Sequence, residues 1–516
     1  MPYDHKTFPY VAPPGLTGQE PRHKVIVVGA GPVGLSIALD LAGRGIPSVV
    51  LDDGNTVAAG SRAIGWSRRS LHLFDRLGIA DKVLEKAVPW SIGRVCHGDD
   101  EVCDFDLESE PGNRLPVFAN LQQYYVEEFL AERALAEPLI DLRFRNRATS
   151  VDDTGDEAHV TVRTPDGRYG LSAEYVLACD GARSTMRAIL DLDFEGEMYE
   201  ERFLIADIEM AADFPAERWF WFDPTFHDGQ SALLQRQADN IYRLDLQLGP
   251  DADAAQEARP ENVIPRIEKL VGPDFELEWV SVYKFQCRRL HNFVHGRVIF
   301  LGDSAHLVPP YGARGGNGGL QDVENLGWKL AAVLDGRAPE RLIDSYDRER
   351  VQAAEADIRQ STAAARFITP AAGVERLFRD QVLGLARKAD FARGWVNSGR
   401  LSHGCVYDSA GPDDALLPPM TRPGAVVPDV PQGNGWLFDR LGEDVTLLAL
   451  NGPAPKGVPV PCLEMAVTDK VRAQFLGDAP RALYLLRPDR VIAARWVECD
   501  AAQVNAALAE LWEGRL

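Results

Sequence analysis

A glycine-rich turn near the N-terminus carries the clearest chemical signal in the 516-residue chain. Gly29, Gly31 and Gly34 follow a short apolar run, with Pro32 between the second and third glycines. Glycines at this spacing permit a tight turn whose backbone N–H groups approach a pyrophosphate, and the next helix N-terminus stabilises its charge. Asp52 stands 18 residues after Gly34, where a carboxylate accepts hydrogen bonds from a ribose. The pattern predicts a dinucleotide site and leaves NAD and FAD open.

A second segment, 297–322, favours FAD. It is an apolar strand that stops at Gly302, followed by Asp303 at the position where a polyol hydroxyl would be bound. A proline- and glycine-rich loop then leads into another helix N-terminus, through Pro310, Gly315, Gly316 and Asn317. The two glycine-rich segments together are typical of a flavin-binding fold.

A third segment follows the strand that ends near Cys179. Asp180 and Gly181 form a turn, after which Arg183 and Arg187 are predicted to meet pyrophosphate charge, since guanidinium groups bind it bidentately. A strand-end turn with two solvated arginines is the alternative, which the two neighbouring motifs disfavour.

The elements that must position these residues can be predicted from hydrophobic periodicity. A strand, a close-packed helix and a second strand over 24–52 form a β-α-β unit. Between about 200 and 290, Tyr242, Leu244 and Leu246 alternate with polar residues, which describes a sheet with one buried and one wetter face. Beyond a proline-rich stretch at 412–431, strands at 445–450 and 482–486 and a helix at 501–512 predict a separate small α/β domain.

Together these motifs resemble those of the single-component flavoprotein aromatic hydroxylases, the FAD monooxygenases related to p-hydroxybenzoate hydroxylase and phenol hydroxylase. The resemblance covers roughly residues 23–500 and is nearest to the 3-(3-hydroxyphenyl)propionate hydroxylase type. It implies a Rossmann-like FAD-binding domain of the glutathione reductase type with an inserted β-sheet substrate domain. Arg487-Pro488-Asp489 resembles the hairpin that closes the C-terminal thioredoxin-like domain of the phenol hydroxylase branch, with Arg490 where that pattern usually has glycine.

The domain organisation implied is α/β throughout. We expect an N-terminal arm (1–22), the first part of the FAD-binding domain (23–195), the β-sheet substrate domain (196–290), the second part of the FAD-binding domain with a helical segment (291–400), and the thioredoxin-like domain (401–516).

The resemblance also implies roles for individual residues. Asp303 holds the ribityl chain of FAD, and the loop from Pro310 to Asn317 abuts the isoalloxazine ring. The Asp180 segment serves both FAD and NAD(P)H. Arg62 lies in a segment that contacts the cofactor, and Gln123 matches a glutamine that hydrogen-bonds FAD.

The reaction implied is hydroxylation of a phenolic aromatic: NAD(P)H reduces FAD, O2 adds at the flavin C4a, and the hydroperoxide delivers OH to the ring. The pocket is expected between the strand-rich middle and the flavin loop. Tyr283 and Arg236 are the candidate catalytic residues. Further pocket candidates are Trp219, Trp221, Gln235, Gln286 and Tyr311, although the aromatic run around Trp219 is equally typical of a sheet core.

Two other functions remain open at this point. A polyketide-tailoring hydroxylase of the same family would share every motif, and an FAD dehydrogenase or oxidase would reduce the flavin directly with its substrate. NADH and NADPH are both open as the electron donor.

Composition limits the partners. A formal charge of −22 disfavours nucleic acid. Seven scattered cysteines without a C-x-x-C pair predict no metal site, no disulfide framework and no dithiol centre. No secretory signal or membrane-length apolar run is present, so we expect a soluble cytoplasmic protein, monomeric or homodimeric.

Overall fold

The computed structural model describes residues 3–60, 62–108, 112–211, 214–227, 229–370, 373–397 and 404–516. Its first sheet has a parallel core, with His23–Val28 between Gly167–Ala178 and Ser48–Leu51. These strands are near-continuous apolar runs because helices cover both faces, and Val25, Ile26 and Val27 are fully buried. From edge to edge the strands are Val294–His295, Val298–Phe300, Gly167–Ala178, His23–Val28, Ser48–Leu51 and Ile140–Arg143, with Ala158–Thr164 and Arg147–Asp153 added antiparallel beside Gly167–Ala178.

The β-α-β unit predicted over 24–52 is confirmed. Its helix begins at Pro32, whose missing N–H costs nothing in a first turn. The α-helices of the described chain are Pro32–Gly43, Arg68–Arg76, Ala80–Lys86, Gln123–Leu135, Thr185–Ile189, Ala254–Glu257, Pro260–Val271, Gly315–Leu334, Leu342–Ile368, Val374–Ala386, Asp390–Asn397, Leu437–Arg440, Asp469–Val471 and Ala501–Trp512.

The second sheet is built mainly from the region predicted as the substrate domain. In order its strands are His306–Leu307, Glu276–Arg289, Glu195–Glu209, Ile241–Gln247, Ser231–Arg236, Arg218–Phe222, Ile92–His97 and Asp100–Asp106. The last two lie within 23–195, the range predicted for the first part of the FAD-binding domain. That boundary is wrong for residues 92–106, because this hairpin pairs with a strand more than a hundred residues later.

The two faces of the second sheet have different surroundings. One face, here called the outer face, carries Trp221 and Leu244 and packs against helix Pro260–Val271. The other, the inner face, carries Phe203 and Phe220 and packs with Tyr311 of the loop before helix Gly315–Leu334. The inner face is therefore the one directed at the predicted flavin loop.

Two short sheets complete the central region. Gly65–Ser67 and Val88–Trp90 both pair with Phe118–Asn120, and Pro431–Gln432 pairs with Gly435–Trp436. No helix in the described part of the chain is long and apolar enough to cross a membrane.

The C-terminal region has a four-stranded sheet of its own. Its order is Cys462–Met465, Thr446–Leu450, Ala482–Leu486 and Ile492–Trp496, with only the first pair parallel. The turn before its last strand places Arg490 at φ +64°, the conformation glycine would adopt most easily. Arg490 compensates by donating to the carbonyls of Leu441 and Gly442.

The N-terminal segment, predicted as an arm over 1–22, packs closely against the first domain. Phe8 is buried and its ring stacks on Phe144 with centroids 4.5 Å apart. Glu20 receives two hydrogen bonds from the Arg143 guanidinium, at 2.9 and 2.7 Å. These long-range contacts involve side chains that no local pattern identifies.

Candidate flavin and substrate site

The glycine turn has the geometry that a pyrophosphate needs. Gly29 has φ +107°, and a Cβ on it would stand 2.4 Å from the carbonyl oxygen of Cys179. A Cβ on Gly34 would stand 1.9 Å from the Gly29 oxygen, so neither position tolerates a side chain. The backbone of Gly31, at the N-cap of helix Pro32–Gly43, is therefore open to a phosphate group. These residues fit the pyrophosphate of FAD.

Asp52 lies beside this turn at the end of its strand. Its carboxylate accepts hydrogen bonds from the N–H groups of Ala30 and Gly54, at 2.7 and 2.8 Å. Burial raises the pKa of Asp52, although the hydrogen bonds from these two N–H groups act to lower it. Each oxygen retains acceptor capacity, and the predicted contact with a ribose stays a prediction.

The N-terminus of helix Gly315–Leu334 lies close to the N-terminus of helix Pro32–Gly43. A Cβ on Gly319, in the first turns of helix Gly315–Leu334, would stand 2.6 Å from Cγ2 of Val33 and 3.1 Å from Cα of Gly302. A Cβ on Gly302 would likewise stand 2.9 Å from Val33. Glycine at these positions allows the two motifs, nearly 300 residues apart, to pack against one another.

A buried ion network fixes the Gly302 turn. Asp322 accepts hydrogen bonds from the Gly302 N–H and from His306, both at 2.8 Å, and from Arg350 at 2.5 Å. Burial acts to lower the pKa of His306, but the charge and hydrogen bond of Asp322 have the larger effect, so the pKa of His306 is raised. Arg350 also donates to the Tyr407 hydroxyl at 2.9 Å, which ties the C-terminal region to the motif. His306 therefore supports the loop.

Asp303 is the one residue of this turn whose side chain reaches solvent. Desolvation by the surrounding protein nevertheless raises the pKa of the Asp303 carboxyl group. The positive charges of His306 and Arg62 act in the opposite direction. An accessible carboxylate beside two helix N-termini matches a polyol-binding role. That role for Asp303 remains a prediction.

Gln123 holds the loop that carries Arg62. Its side-chain oxygen accepts from the Ala63 N–H at 3.0 Å, and its amide donates to Glu127 at 2.7 Å. Glu127 also accepts from the Ala58 N–H at 2.6 Å, while burial raises its pKa. Arg62 is exposed on this loop, so Gln123 positions the segment predicted to face the cofactor. The predicted hydrogen bond of Gln123 to FAD stays a prediction.

The Asp180 segment is joined to the Gly302 turn by Arg187. Asp180 accepts from the Ser184 hydroxyl and the Met186 N–H, at 2.6 and 2.9 Å. The guanidinium of Arg187 donates to the carbonyls of Ala182, Asp303 and Ser304. Arg187 thus has a structural role that the sequence did not indicate. Arg183 is exposed. The pyrophosphate contacts predicted for both arginines stay predictions.

Asn317 is almost fully buried and its amide group is saturated by protein. Its oxygen accepts from the Ser67 N–H and the Ser70 hydroxyl, and its nitrogen donates to two carbonyls. Any contact of Asn317 with FAD therefore uses its backbone N–H, as at Gly315 and Gly316, since first-turn N–H groups have no acceptor within their helix. Pro310 is exposed in the preceding loop.

Two predicted pocket residues, Tyr283 and Gln235, lie on the inner face, and a third, Tyr311, packs against that face from the flavin loop. Tyr283 is paired in register with Phe203, whose ring lies 5.9 Å from that of Tyr311. Gln235 is paired with Arg218 and Arg243 in its neighbouring strands. These side chains are directed toward the flavin loop.

Four other predictions are wrong. Trp219, Trp221 and Arg236 lie on the outer face, where the two tryptophans stack 5.8 Å apart and Arg236 lies over Tyr242. Gln286 follows Phe285, whose ring contacts Tyr311, so its own side chain is directed to the other side. The physical reason is the strand period of two, which the aromatic run conceals.

The inner face also carries charged residues that sequence reasoning missed. Arg243 donates to both oxygens of Asp207, at 2.9 and 3.0 Å, and reaches the Arg62 carbonyl at 3.5 Å. Arg218 and Asp245 lie on the same face, and Arg218 lines a small cavity with Phe220, Tyr311 and Gly312. The alternation of polar and apolar residues over 241–247 is the sequence signal for Arg243 and Asp245.

Comparison with known proteins agrees with this geometry. Residues 22–361, more than half of the chain, match the family described as FAD binding domain. The chain is 32% identical over 455 residues to a flavin-dependent monooxygenase of Mycobacteroides abscessus, covering 84% of this chain and 89% of that protein. It is 28% identical over 530 residues to a 3-(3-hydroxy-phenyl)propionate/3-hydroxycinnamic acid hydroxylase of Mycolicibacterium smegmatis, covering 94% and 92% respectively. The solved structure of the flavin-dependent monooxygenase PieE in complex with FAD and substrate has the same fold, with a TM-score of 0.81 at 22% identity, over 96% of this chain and 100% of that one.

Proposed function

Because the chain belongs to the FAD-binding flavin-dependent monooxygenases, we propose that it hydroxylates a small phenolic compound with O2 and NAD(P)H. The observation that carries this proposal is the inner face of the second sheet. That face brings aromatic rings and buried charges to the loop that precedes the N-terminus of helix Gly315–Leu334.

The residues that would hold FAD are those at the two helix N-termini. The Gly29–Gly34 turn suits the pyrophosphate, Asp52 and Asp303 suit hydroxyl groups, and the first-turn N–H groups of Gly315 and Gly316 suit a developing negative charge. Bound FAD would supply the two-electron and O2 chemistry.

The chain's own part is to exclude water and hold the ring of the substrate. Phe203, Phe285 and Tyr311 form a cluster of edge-on and tilted rings with centroids 5.1 to 5.9 Å apart. Such a surface binds a flat aromatic and keeps solvent from the reaction. Tyr283, paired with Phe203, is retained as a residue that contacts the substrate.

The electron donor is proposed to be a nicotinamide dinucleotide. Support comes from the exposed Arg183 beside the Asp180 turn, which offers a cation to a phosphate group. Substrate-driven reduction of FAD, as in a dehydrogenase or oxidase, is the alternative, and it predicts flavin bleaching without NAD(P)H.

A single-ring phenol is the proposed substrate class. The relative that hydroxylates 3-(3-hydroxyphenyl)propionate aligns over most of both chains, which supports this choice. A fused-ring substrate, as in polyketide tailoring, is the second candidate and is separated by substrate size in the assay below.

We propose that the C-terminal region is a thioredoxin-like domain without redox activity. Its strand order of second, first, third and fourth, with one parallel pair, supports that fold. The cysteines of this region, Cys405, Cys462 and Cys499, are free thiols far apart in sequence, which supports a domain without a dithiol centre. We propose a structural role for it, in a cytoplasmic monomer or homodimer.

The experiment is a screen of single-ring and fused-ring phenols against the purified flavoprotein. We expect NADH or NADPH to bleach the flavin faster with the correct phenol, and product mass to increase by one oxygen atom. If no phenol stimulates NAD(P)H oxidation, or if a substrate bleaches the flavin without NAD(P)H, the hydroxylase proposal is wrong.

A further inference from the structure

We propose that Asp245 takes the proton of the substrate's phenol group and that Arg218 holds the phenolate oxygen. This inference rests on the proposed phenol hydroxylation and names the residues that would activate the ring. It replaces Arg236, which lies on the wrong face of the sheet.

The first support is position. Asp245 is paired with Leu233 and Ile205 in its two neighbouring strands, and Leu233 is paired with Phe220. All four residues therefore share the inner face. Arg218 is two residues before Phe220 in the same strand and lines the cavity beside Tyr311 and Gly312. Arg218 is thus beside the loop that leads to the flavin-binding helix, and Asp245 lies on the same face two strands away.

The second support is the absence of protein partners within the described chain. Oδ1 of Asp245 is buried and accepts no hydrogen bond from the described residues. Among those same residues, the Arg218 guanidinium makes no hydrogen bond or ion pair within 4.0 Å, although it interacts electrostatically with Asp245. A buried carboxylate oxygen rarely remains unsatisfied, and with the half-buried Arg218 guanidinium on the same face it points to a ligand between them. By contrast, the adjacent Arg243 and Asp207 satisfy each other.

A phenol hydroxyl satisfies both groups at once. Its O–H donates to Asp245 Oδ1, and its oxygen accepts from Arg218. On deprotonation the phenol O–H bond breaks, the proton bonds to Asp245, and the electron pair stays on the phenol oxygen beside the guanidinium. The ring becomes more electron-rich, which is what an electrophilic hydroxylation requires.

The electrostatics agree with this exchange. Burial raises the pKa of Asp245 to about 6, while Arg243 and Arg218 oppose the shift and Asp207 adds to it. Burial lowers the pKa of Arg218 to about 10, where Asp245 opposes the shift and Arg314 adds to it. At neutral pH the carboxylate is a base of useful strength and the guanidinium remains a cation.

The test uses the oxidised flavoprotein and a phenol that the unaltered enzyme hydroxylates. We expect bound phenol to show the ultraviolet spectrum of a phenolate at a pH well below its solution pKa. Asp245→Asn should abolish that spectrum and lower kcat by about a hundredfold or more, within the range usual for a general base. Asp251→Asn, an exposed carboxylate after the same strand, is the matched control and should change neither.

A ring-fluorinated analogue that is already ionised at the assay pH separates proton transfer from misfolding. It should restore most of the activity of Asp245→Asn, because no proton remains to be removed. Arg218→Gln should still bind this analogue about tenfold or more weakly, with Arg218→Lys intermediate.

The outcomes distinguish the two proposals. If the unaltered enzyme hydroxylates no phenol, the proposed function fails and this inference fails with it. If the enzyme hydroxylates a phenol but Asp245→Asn retains the phenolate spectrum, or loses equal activity on both phenols, only the role of Asp245 is wrong. Unchanged affinity of Arg218→Gln for the ionised analogue would overturn the role of Arg218.

Discussion

Replacing Gly34 by alanine should separate the flavin-binding turn from the rest of the fold. The added Cβ would stand 1.9 Å from the Gly29 carbonyl oxygen, whereas an ordinary contact is about 3.4 Å. Helix Pro32–Gly43 must therefore shift by about 1.5 Å at its first turn, since a backbone oxygen cannot rotate away as a side chain would. Overpacking of this kind costs about 1–3 kcal/mol of folding free energy.

The same shift should weaken FAD binding. A displacement of about 1.5 Å moves the first-turn N–H groups beyond hydrogen-bond distance of a pyrophosphate placed for the native turn. Hydrogen bonds to charged groups contribute about 1.5–3 kcal/mol each, so losing one corresponds to roughly 10- to 150-fold weaker binding. We expect Gly34→Ala to lose its yellow colour on gel filtration and to give a raised Kd when titrated with FAD.

Gly43→Ala provides a matched control in the same helix. A Cβ on Gly43 would meet nothing within 4 Å, and its backbone is helical, so alanine should be neutral or stabilise by about 0.5–1 kcal/mol. Both variants are compared by urea unfolding of the apoprotein and by FAD titration. Native FAD affinity in Gly34→Ala, or an equal loss in Gly43→Ala, would refute the steric explanation.

Four further predictions follow from the same geometry. Asp303→Ala should bind FAD about 10- to 100-fold more weakly by losing charge-assisted hydrogen bonds; full flavin occupancy after desalting would contradict its role. Asp322→Asn should lower the free energy of unfolding by about 3–5 kcal/mol, because Arg350 and His306 lose their buried counter-charge; an unchanged urea midpoint would argue against that network. Burial lowers the pKa of Lys329 to about 7, so between pH 7 and about 10 the unfolded chain holds a proton that the folded chain lacks. Stability relative to Lys329→Met should therefore rise by about 1 kcal/mol per pH unit across that window, and a difference independent of pH would disprove it. Phe220→Leu, on the inner face, should raise the KM for the phenol, whereas Trp219→Phe, on the outer face, should leave it unchanged; the reverse result would mean that the faces are misassigned.

The flavin-binding half of the site was predictable because its physics is local. The Gly29–Gly34 turn needs glycine at fixed spacing, and the position of Asp52 follows from the length of one helix and one strand. The Gly302 turn follows Val298–Phe300, a strand parallel to His23–Val28 with Gly167–Ala178 between them, so both glycine-rich turns lie at the same carboxyl edge of the sheet. Such constraints leave a readable pattern in the sequence, and the structure places these residues together.

Roles that depend on distant partners were not predictable. Nothing near Arg187 in sequence shows that its guanidinium would bind the carbonyls of Asp303 and Ser304. Likewise, the hairpin at 92–106 reads as part of the first domain, because pairing between strands far apart in sequence leaves no local signal. The packed N-terminal segment was missed for the same reason.

The substrate face illustrates why composition is a poor guide to a pocket in a sheet. Trp219 and Trp221 are the most conspicuous aromatic residues of the region, yet they lie on the outer face, where they stack on one another within the apolar cluster of that face. In strand Ile241–Gln247 the apolar side chains of Tyr242, Leu244 and Leu246 lie on the outer face. The polar side chains of Arg243 and Asp245 lie on the inner face, toward the flavin loop. A pocket that must move a proton needs charge, and burying charge is costly unless a ligand or partner meets it. The polar half of an alternating strand is therefore the better place to seek the residues that act on the substrate, and it is there that Asp245 lies.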